Sequence, residues 1–493
     1  MSIKVPISAF TEQVRKDCTV KGKYNPYGPS PIAYAFATTL NSAFLPLAYY
    51  LNKHKHVQAP QPQPLSSVTH SWRFYSEKYP FRTDGGRDQE VVFNEATMLL
   101  KKHHSVLLSL YCAFGKTFLA IRLASIFSSI ERQQATLSAD VSVGRRLVEP
   151  SCPRPHRVRC AVLVHRDVLK EQWLESITKF SNARAVIVDN TSPIDPDSAD
   201  IFIFNIAMVP KQWNKQEKRW EPKKLGVFKW IDLLIVDEAH IACAEEMAKA
   251  LYYFTPKWSI ALTATPRRPD GMDGMLELYF GKYTQTQIVR IATNKFEIHC
   301  IETDVTPPFK LSAAGRKDWN AVLEELMNNE ERNNLILRLV EEHLVPPENT
   351  ILIFAKRVAH CKALAAQIPG STIMVSSQKT YDKTARVLLS TFSKLGVGFD
   401  DGRINILILA APIATQLEQY AGRLRDQPGK RRIVIDLVDN DSNCKKQWKT
   451  RKTWYESRNG EIKYIAANAQ AEPDPEPAEQ EQAPAQRRLA KKA

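Results

Sequence analysis

Short apolar segments alternate with helical stretches in two separate parts of the chain. In the first part, between residues 85 and 295, the pattern predicts six strands: HSVLLSLY, CAVLVH, ARAVIVD, ADIFIFN, IDLLIVD and WSIALTA. Strands that are this continuously apolar are usually buried on both faces, and helices between them indicate a parallel sheet covered on both sides. The first part is therefore predicted to be an α/β domain.

A second set of the same kind lies between residues 305 and 440. Here NTILIFA, STIMVSS, INILILA and RRIVIDLV are the predicted strands, and KRVAHCKALAAQI and ATQLEQYAGRLRD are the predicted helices. The chain is thus predicted to carry two α/β domains in tandem.

Three further regions lie outside this alternation. Residues 1–80 are rich in aromatic residues and prolines, and they form either a small domain that grips a partner or a structural layer on the core. A polar, basic insertion at 131–160 is predicted to be an exposed loop. Residues 441–493 are first basic and then of low complexity, and EPDPEPAEQEQAPAQ is expected to be disordered.

Composition narrows the class of protein. With 493 residues and 44% hydrophobic content, the chain can form the cores of two or three domains. Its net charge of +15 favours a polyanionic partner such as nucleic acid, although a solvated basic surface would give the same number. We find no apolar run of membrane-spanning length, no signal peptide and no CxxC pair, so we expect a soluble intracellular protein without a membrane partner.

The first chemical motif follows the first predicted strand. GKT comes between a strand and a helix, where backbone N–H groups can bind phosphate. Lys116 would reach the β- and γ-phosphates of a nucleotide, and the Thr117 hydroxyl would bind Mg²⁺. Two positions that usually hold small residues are occupied by Leu110 and Ala113. The predicted phosphate loop comprises Leu110, Tyr111, Cys112, Ala113, Phe114, Gly115, Lys116 and Thr117.

The second motif is the DEAH sequence after IDLLIV. A parallel strand that ends in two carboxylates places both at the edge of the sheet where ligands bind. Asp237 would hold Mg²⁺, and Glu238 would orient or deprotonate the attacking water. A DEAH sequence on a helix surface would be unremarkable, but one that follows a buried strand and a GKT loop is specific.

Two further motifs complete the set. ALTATPRRPDG places Thr263 and Thr265 at the end of another strand, near the second carboxylate. In the second domain QLEQYAGRLRD follows a strand and carries Gln419, Gly422, Arg423 and Arg425. Arginines offered by a second domain can stabilise charge on a triphosphate and couple hydrolysis to domain closure.

In this order and spacing the four motifs resemble those of superfamily 2 helicases, the DEAH-box motor ATPases with two RecA-like domains. The resemblance spans residues 85–440 and implies ATP and Mg²⁺ as cofactors, with Lys116, Asp237, Glu238, Arg423 and Arg425 as the catalytic set. It also implies an adenine contact at Gln89 in GRDQEVVFNEA and further nucleotide contacts at His240 and at Asp400. By the same resemblance, the nucleic-acid contacts are His165 and Arg166 in VLVHRDVLKEQW, Asn205 in FIFNIAMV, Phe354 in ILIFAKRV and Thr391 in STFSKLGVGFD.

TATPRRPDG and the aromatic N-terminal region are most similar to the XPB-like branch, which includes helicases of large cytoplasmic DNA viruses. The resemblance implies an ATP-dependent helicase or translocase on DNA or RNA, with DNA favoured, that works with transcription or replication proteins. A viral origin would place it in the host cytoplasm or the virion. The last motif departs from the family, because Asp426 stands where the second arginine is usual and Arg425 precedes it. The alternative is a catalytically weakened nucleic-acid-binding subunit with a helicase fold.

Overall fold

The computed structural model describes most of the chain, in separate segments. These are residues 2–23, 30–54, 72–83, 87–126, 158–189, 194–208, 211–214, 219–222, 227–264, 268, 270–291, 296–308, 310–311, 317–375, 378, 380–392, 401–414, 417–422, 424 and 430–467. The predicted insertion at 131–160 and the predicted disordered tail lie almost wholly outside the described residues.

Helices are short in the N-terminal region and longer in the two α/β units. Up to residue 290 they are Glu12–Asp17, Leu47–Lys53, Gln89–His103, 116–126, Asp167–Phe180, Ala239–Ala242, Glu245–Ala248, Gly274–Phe280 and Tyr283–Thr286, with 3-10 turns at Ile7–Ala9, Ile206–Met208 and Lys249–Tyr253. After residue 290 they are Trp319–Asn328, Glu330–Leu344, Val358–Ala365, Leu417–Ala421 and Ser442–Glu456.

Seven parallel strands form the first sheet. Across the sheet they follow the order Gln287–Arg290, Ser105–Leu110, Trp258–Thr263, Leu233–Val236, Cys160–Val164, Ile201–Asn205 and Ala185–Val188. Six of these are the predicted strands, so the α/β prediction is confirmed. The edge strand Gln287–Arg290 escapes sequence analysis because only one of its four side chains is buried.

Both faces of the first sheet are covered, which explains why its strands are continuously apolar. Leu233 and Ile235 of one strand belong to one hydrophobic cluster, whereas Leu234 and Val236 of the same strand belong to the other. Side chains alternate between the faces of a strand, so a strand with two buried faces has no polar side to show.

The N-terminal region covers one of these faces. Its strand Ser2–Pro6 pairs antiparallel with Ser42–Pro46, which also pairs with Ala37–Thr38. Buried side chains of this region share a hydrophobic cluster with the first sheet and with helix Gly274–Phe280. Two shorter antiparallel pairs join Thr19–Lys21 to Ile32–Tyr34 and Lys211–Asn214 to Arg219–Pro222.

The second sheet also has seven parallel strands. Their order is Thr372–Met374, Val387–Thr391, Ile351–Ala355, Ile406–Leu409, Ile433–Asp439, Glu297–Thr303 and Glu461–Ala466. The four predicted strands of this unit are all present. The remaining three were not predicted, and Glu461–Ala466 is a mostly exposed edge strand that lacks an apolar run.

The second unit extends beyond the predicted limits of 305 and 440. Strand Glu297–Thr303 lies before the predicted start, and it pairs with Ile433–Asp439 along its whole length. Helix Ser442–Glu456 and strand Glu461–Ala466 lie after the predicted end. Trp448 and Tyr455 of the helix are buried in the same core, and the strand pairs with Glu297–Thr303. Part of the segment predicted to be a tail is therefore an ordered part of the second unit.

Buried ion pairs anchor elements of the second unit to its sheet. Arg332, in helix Glu330–Leu344, donates to both carboxylate oxygens of Asp439, at 2.7 and 3.1 Å, and both side chains are fully buried. Arg451, in helix Ser442–Glu456, pairs in the same bidentate way with Asp436 at 2.7 Å. Charges that are removed from water need such complete pairing.

Candidate nucleotide and nucleic-acid site

Three neighbouring strands of the first sheet end at one edge of that sheet. Because the strands are parallel and in register, the phosphate loop after Ser105–Leu110, Thr263 at the end of Trp258–Thr263, and Asp237 after Leu233–Val236 lie side by side. This is the edge at which ligands bind in open α/β sheets. The fold thus brings together motifs that are more than 100 residues apart in the sequence.

The predicted phosphate loop contains two residues with left-handed backbone conformation. Ala113 and Gly115 both have positive φ, at 70° and 106°, and the helix 116–126 begins directly after them. Lys116 Nζ donates to the backbone carbonyl of Leu110 at 3.0 Å, so the ammonium group lies over the loop. The Leu110 side chain is fully buried in the core, and it therefore occupies none of the space above the loop.

Gln89 closes the loop from the side. Its amide nitrogen donates to the carbonyl of Phe114 at 2.5 Å, and its amide oxygen accepts from the backbone N–H of Arg82 at 2.8 Å. The residue is only 2% exposed. Arg87 adds a hydrogen bond from Nε to the carbonyl of Ala113 at 3.2 Å. Gln89, predicted to contact adenine, thus lies against the phosphate loop and fixes its shape.

Asp237 is held in one orientation. One carboxylate oxygen, Oδ2, accepts the indole N–H of Trp173 at 2.9 Å, and the other, Oδ1, accepts the backbone N–H of Glu238 at 3.0 Å. Burial and the neighbouring Glu238 raise the pKa of the Asp237 carboxyl, and the positive charge of Lys116 opposes this shift. A carboxylate in this setting gains stability from a cation beside it.

Glu238 occupies a backbone conformation that costs energy. Its φ is 45° and ψ is 54°, in the left-handed region that side-chain-bearing residues rarely adopt. His240 Nδ1 lies 3.3 Å from Glu238 Oε2 and 3.0 Å from Thr263 Oγ1. Burial lowers the pKa of His240 to about 4, so the imidazole is neutral at pH 7. Strain of this kind is typical of functional sites, where the surrounding structure enforces it.

Arg268 contacts the backbone of the DEAH segment at the same edge of the sheet. Its guanidinium donates to the backbone carbonyl of His240, and it forms a two-bond ion pair with Asp270 at 3.0 and 2.6 Å. The loop that carries Asp270 contacts the N-terminal region, because Lys23 N–H donates to the Asp270 carbonyl at 2.8 Å. Arg268 was not singled out from the sequence, although TATPRRPDG contains it.

The predicted nucleic-acid contacts of the first unit lie at the next two strand ends along this edge. Arg166 is exposed, whereas the ring nitrogens of His165 are buried without a hydrogen-bond partner among the described residues. Burial lowers the pKa of His165 to about 4. Asn205 donates to the Asp167 carboxylate at 2.8 Å and thereby fixes the start of helix Asp167–Phe180.

Comparison with known proteins identifies the family. Residues 82–268 match the sequence model described as "Type III restriction enzyme, res subunit". The chain is 30% identical over 407 residues to the protein named "Putative helicase 161L" of Invertebrate iridescent virus 6, a match that covers 76% of this chain and 81% of that protein. The chain belongs to the superfamily 2 helicases.

A second viral relative agrees with this assignment. "Putative helicase 055L" of Frog virus 3 (isolate Goorha) is 30% identical over 361 residues, which cover 72% of this helicase chain and 71% of that protein. Among solved structures, S. cerevisiae Dbp5 bound to RNA and ADP BeF3 is 10% identical, with a TM-score of 0.48, and covers 80% of this chain and 96% of that one. No helix of the described residues is long and apolar enough to span a membrane.

The residues at the edge of the first sheet fit ATP with a divalent cation. Thr117, in the first turn of its helix, and Asp237 are the oxygen donors, and the electrostatic environment of Asp237 favours a bound cation. Within the described segments, no group of three or more His, Cys, Asp or Glu residues could hold a metal alone. Mg²⁺ in nucleotide-binding proteins is commonly bound through one or two carboxylates together with nucleotide phosphates.

In the second unit of the helicase, Phe354 does not have its predicted position. Its side chain is 0% exposed and stacks on Phe392, with ring centroids 5.1 Å apart, so it is a core residue and faces no nucleic acid. Thr391, at the end of the neighbouring strand, is 5% exposed. Gly422 directly follows helix Leu417–Ala421, which contains Gln419. The predicted site residues Thr265, Asp400, Arg423 and Arg425 lie outside the described residues.

Proposed function

We propose that this chain is an ATP-driven motor that translocates along DNA and unwinds it, and that it belongs to the DEAH-box, XPB-like branch of the superfamily. The observation that carries the proposal is the convergence of Lys116, Asp237, Glu238 and His240 at one edge of the first sheet, beside the exposed Arg166. That arrangement supplies the parts that phosphoryl transfer to water needs, next to a surface that can contact a phosphate backbone.

In the proposed mechanism, Lys116 exchanges the Leu110 carbonyl for the β- and γ-phosphates of ATP. Backbone N–H groups of the loop around Gly115 bind the phosphates, and Thr117 and Asp237 hold the cation. Mg²⁺, when bound, neutralises charge that develops on the phosphate oxygens. Glu238 orients the attacking water and accepts its proton, since a carboxylate is a suitable general base.

His240 and Thr263 are proposed to couple this chemistry to movement. The neutral imidazole lies between the Glu238 carboxylate and the Thr263 hydroxyl, so a change at either group reaches the other through a single side chain. We propose that Arg423 and Arg425 approach the triphosphate from the second unit, and that Gln419 and Gly422 take part in the coupling. Asp400 and Thr391 would contact nucleotide and nucleic acid, respectively.

DNA is the proposed track, and transcription or replication of a virus is the proposed setting. The similarity of TATPRRPDG to the XPB-like branch supports DNA, and the viral relatives support the setting. The net charge of +15 supports binding to any nucleic-acid backbone. On this proposal, partners are transcription or replication proteins, and recognition is independent of sequence because it uses backbone phosphates.

The test is ATP hydrolysis by the purified full-length protein, without nucleic acid and then with single-stranded DNA, duplex DNA or RNA. We expect DNA to stimulate hydrolysis more than RNA. Glu238→Gln should reduce the rate by about 100-fold or more, in the range of lost general-base catalysis. Lys116→Ala should reduce it by about 100-fold or more because it removes a positive charge from the phosphates. Both variants keep the fold-forming residues, so their thermal unfolding should match that of the parent.

Two outcomes would change the conclusion. Stronger stimulation by RNA would identify RNA, and not DNA, as the track, and the proposal of an ATP-driven motor would stand. No hydrolysis with any polymer, together with binding that weakens as salt rises, would show that the departures at Ala113 and Asp426 have removed catalysis. The protein would then be a nucleic-acid-binding subunit with a helicase fold.

A further inference from the structure

Trp173 connects the Asp237 carboxylate to the helix that begins beside the predicted nucleic-acid contacts. It lies in the second turn of helix Asp167–Phe180 and is 2% exposed. Its indole N–H donates to Asp237 Oδ2 at 2.9 Å. With the Glu238 N–H on Oδ1, this bond fixes the plane of the carboxylate and leaves its remaining lone pairs for a ligand.

The first turn of the same helix lies on the proposed nucleic-acid side. Asp167 accepts hydrogen bonds from Asn205 at 2.8 Å and ion-pairs with Lys170 at 3.0 Å, and Arg166 immediately before it is exposed. Trp173 lies six positions after Asp167 in the α-helix, a rise of about 9 Å. A rigid helix therefore joins the strand ends that would contact the backbone to the carboxylate that would bind the metal.

We propose that Trp173 is a positioning residue that aligns Asp237 for the Mg²⁺–nucleotide complex and links this alignment to nucleic-acid binding at the start of its helix. The inference rests on the proposed function and deepens it, because it names the route by which the track regulates the nucleotide site. Trp173 touches neither nucleotide nor metal in this scheme, and it acts only through Asp237.

The hydrogen bond can be removed with little change in shape. Trp173→Phe keeps an aromatic side chain in the cluster but has no N–H donor. Asp237 then keeps only the backbone bond from Glu238 and can rotate about its Cβ–Cγ bond. Loss of a partner that orients a metal ligand commonly weakens metal binding by about 10- to 100-fold.

Trp72 provides the matched control. It is 5% exposed in the same hydrophobic cluster as Trp173, and its indole nitrogen is buried without a hydrogen-bond partner in the described part of the chain. Trp72→Phe therefore removes a similar volume from the same core and leaves Asp237 untouched. Any difference between the two variants reports the hydrogen bond.

The experiment measures Mn²⁺ binding in the presence of ADP by electron paramagnetic resonance, and ATP hydrolysis with and without single-stranded DNA. For Trp173→Phe we expect Mn²⁺ affinity to fall about 10-fold or more. We also expect the stimulation by DNA to fall even at saturating Mg²⁺. Trp72→Phe should stay within about twofold of the parent in both measurements, a margin well below the metal effect.

Equal Mn²⁺ affinities and equal stimulation in the two variants would overturn the inference. If the parent protein hydrolyses no ATP, the proposed function fails, but the Mn²⁺ measurement still decides whether Trp173 aligns Asp237. If Trp173→Phe fails to fold, benzothienylalanine at position 173 keeps the shape of the indole and replaces only the N–H with sulfur. Unchanged Mn²⁺ affinity in that protein would also overturn the inference.

Discussion

Replacing Gly115 with alanine tests whether the phosphate loop has the strained geometry described above. A Cβ at this position would lie 2.5 Å from Gln89 Nε2, on a backbone with φ of 106° that residues with side chains rarely adopt. A side-chain amide can often move away at small cost. Gln89 cannot, because it is 2% exposed and is hydrogen-bonded to both Phe114 and Arg82.

The cost follows from these contacts. Displacing Gln89 loses two hydrogen bonds, each worth about 0.5–1.5 kcal/mol. The left-handed backbone adds about 1–2 kcal/mol for an L-residue. Alanine has less conformational freedom than glycine in the unfolded chain, and this offsets the penalty by about 0.4–1 kcal/mol. The net penalty is therefore about 1–4.6 kcal/mol, which corresponds to a loss of roughly 5- to 2,000-fold in nucleotide affinity when it is felt on binding.

The assay is titration with a fluorescent ATP analogue, together with thermal unfolding of the same protein. Ala113→Gly is the companion variant, because Ala113 also has a positive φ, of 70°, but glycine relieves the strain at that position. We expect Ala113→Gly to leave stability unchanged or to raise it by up to about 1.5 kcal/mol. Gly115→Ala with both affinity and unfolding temperature unchanged would refute the reasoning.

Three further predictions concern other parts of the structure. Arg268→Lys should lower the rate of ATP hydrolysis about tenfold and leave nucleotide affinity unchanged, because it weakens the hydrogen bond to the His240 carbonyl. A change confined to KM in steady-state kinetics would contradict this prediction. Arg332→Met should destabilise the second unit by about 3–5 kcal/mol in urea unfolding, since it leaves Asp439 buried and unpaired, and a loss below 1 kcal/mol would disprove the role of the pair. Burial lowers the pKa of His360 to about 4 in the folded protein, whereas the imidazole of the unfolded chain titrates near 6.5. As the pH falls from about 6.5 towards 4, the unfolded chain takes up a proton that the folded protein does not, so the free energy of unfolding should decline. His360→Gln should flatten that part of the unfolding temperature measured against pH, and an unaltered profile would rule out His360 as the cause.

The ten predicted strands are all present because each combines an apolar run with turn signals at its ends. Of the four strands of the two large sheets that sequence analysis missed, two lack an apolar run. In Glu461–Ala466 polar and apolar residues alternate and most of the strand is exposed, and Gln287–Arg290 buries one of its four side chains. Each becomes a strand because a neighbouring strand offers unpaired backbone groups, which is information that a local window does not contain.

The KKQWKTRKTWYESR segment shows a different limit. Its mixture of tryptophans and basic residues suits either a nucleic-acid-binding element or an ordinary exposed segment. In the structure it lies mostly in helix Ser442–Glu456, with Trp448 in the core and Arg451 in the buried ion pair with Asp436. Composition shows how many charged residues the segment has but not which of its side chains are buried, since burial depends on which side of the helix packs against the sheet.

The sequence by itself determined the α/β class, the two tandem units and the order of the motifs at the strand ends. These follow from local patterns: runs that are apolar on both faces, and polar residues where parallel strands end at a shared edge. Only the tertiary structure decided that Trp173 and Arg268 support the DEAH residues, that Phe354 is buried, and that the N-terminal region covers the first sheet. Such contacts join residues that are distant in the chain, and they depend on packing and on the direction in which each side chain points.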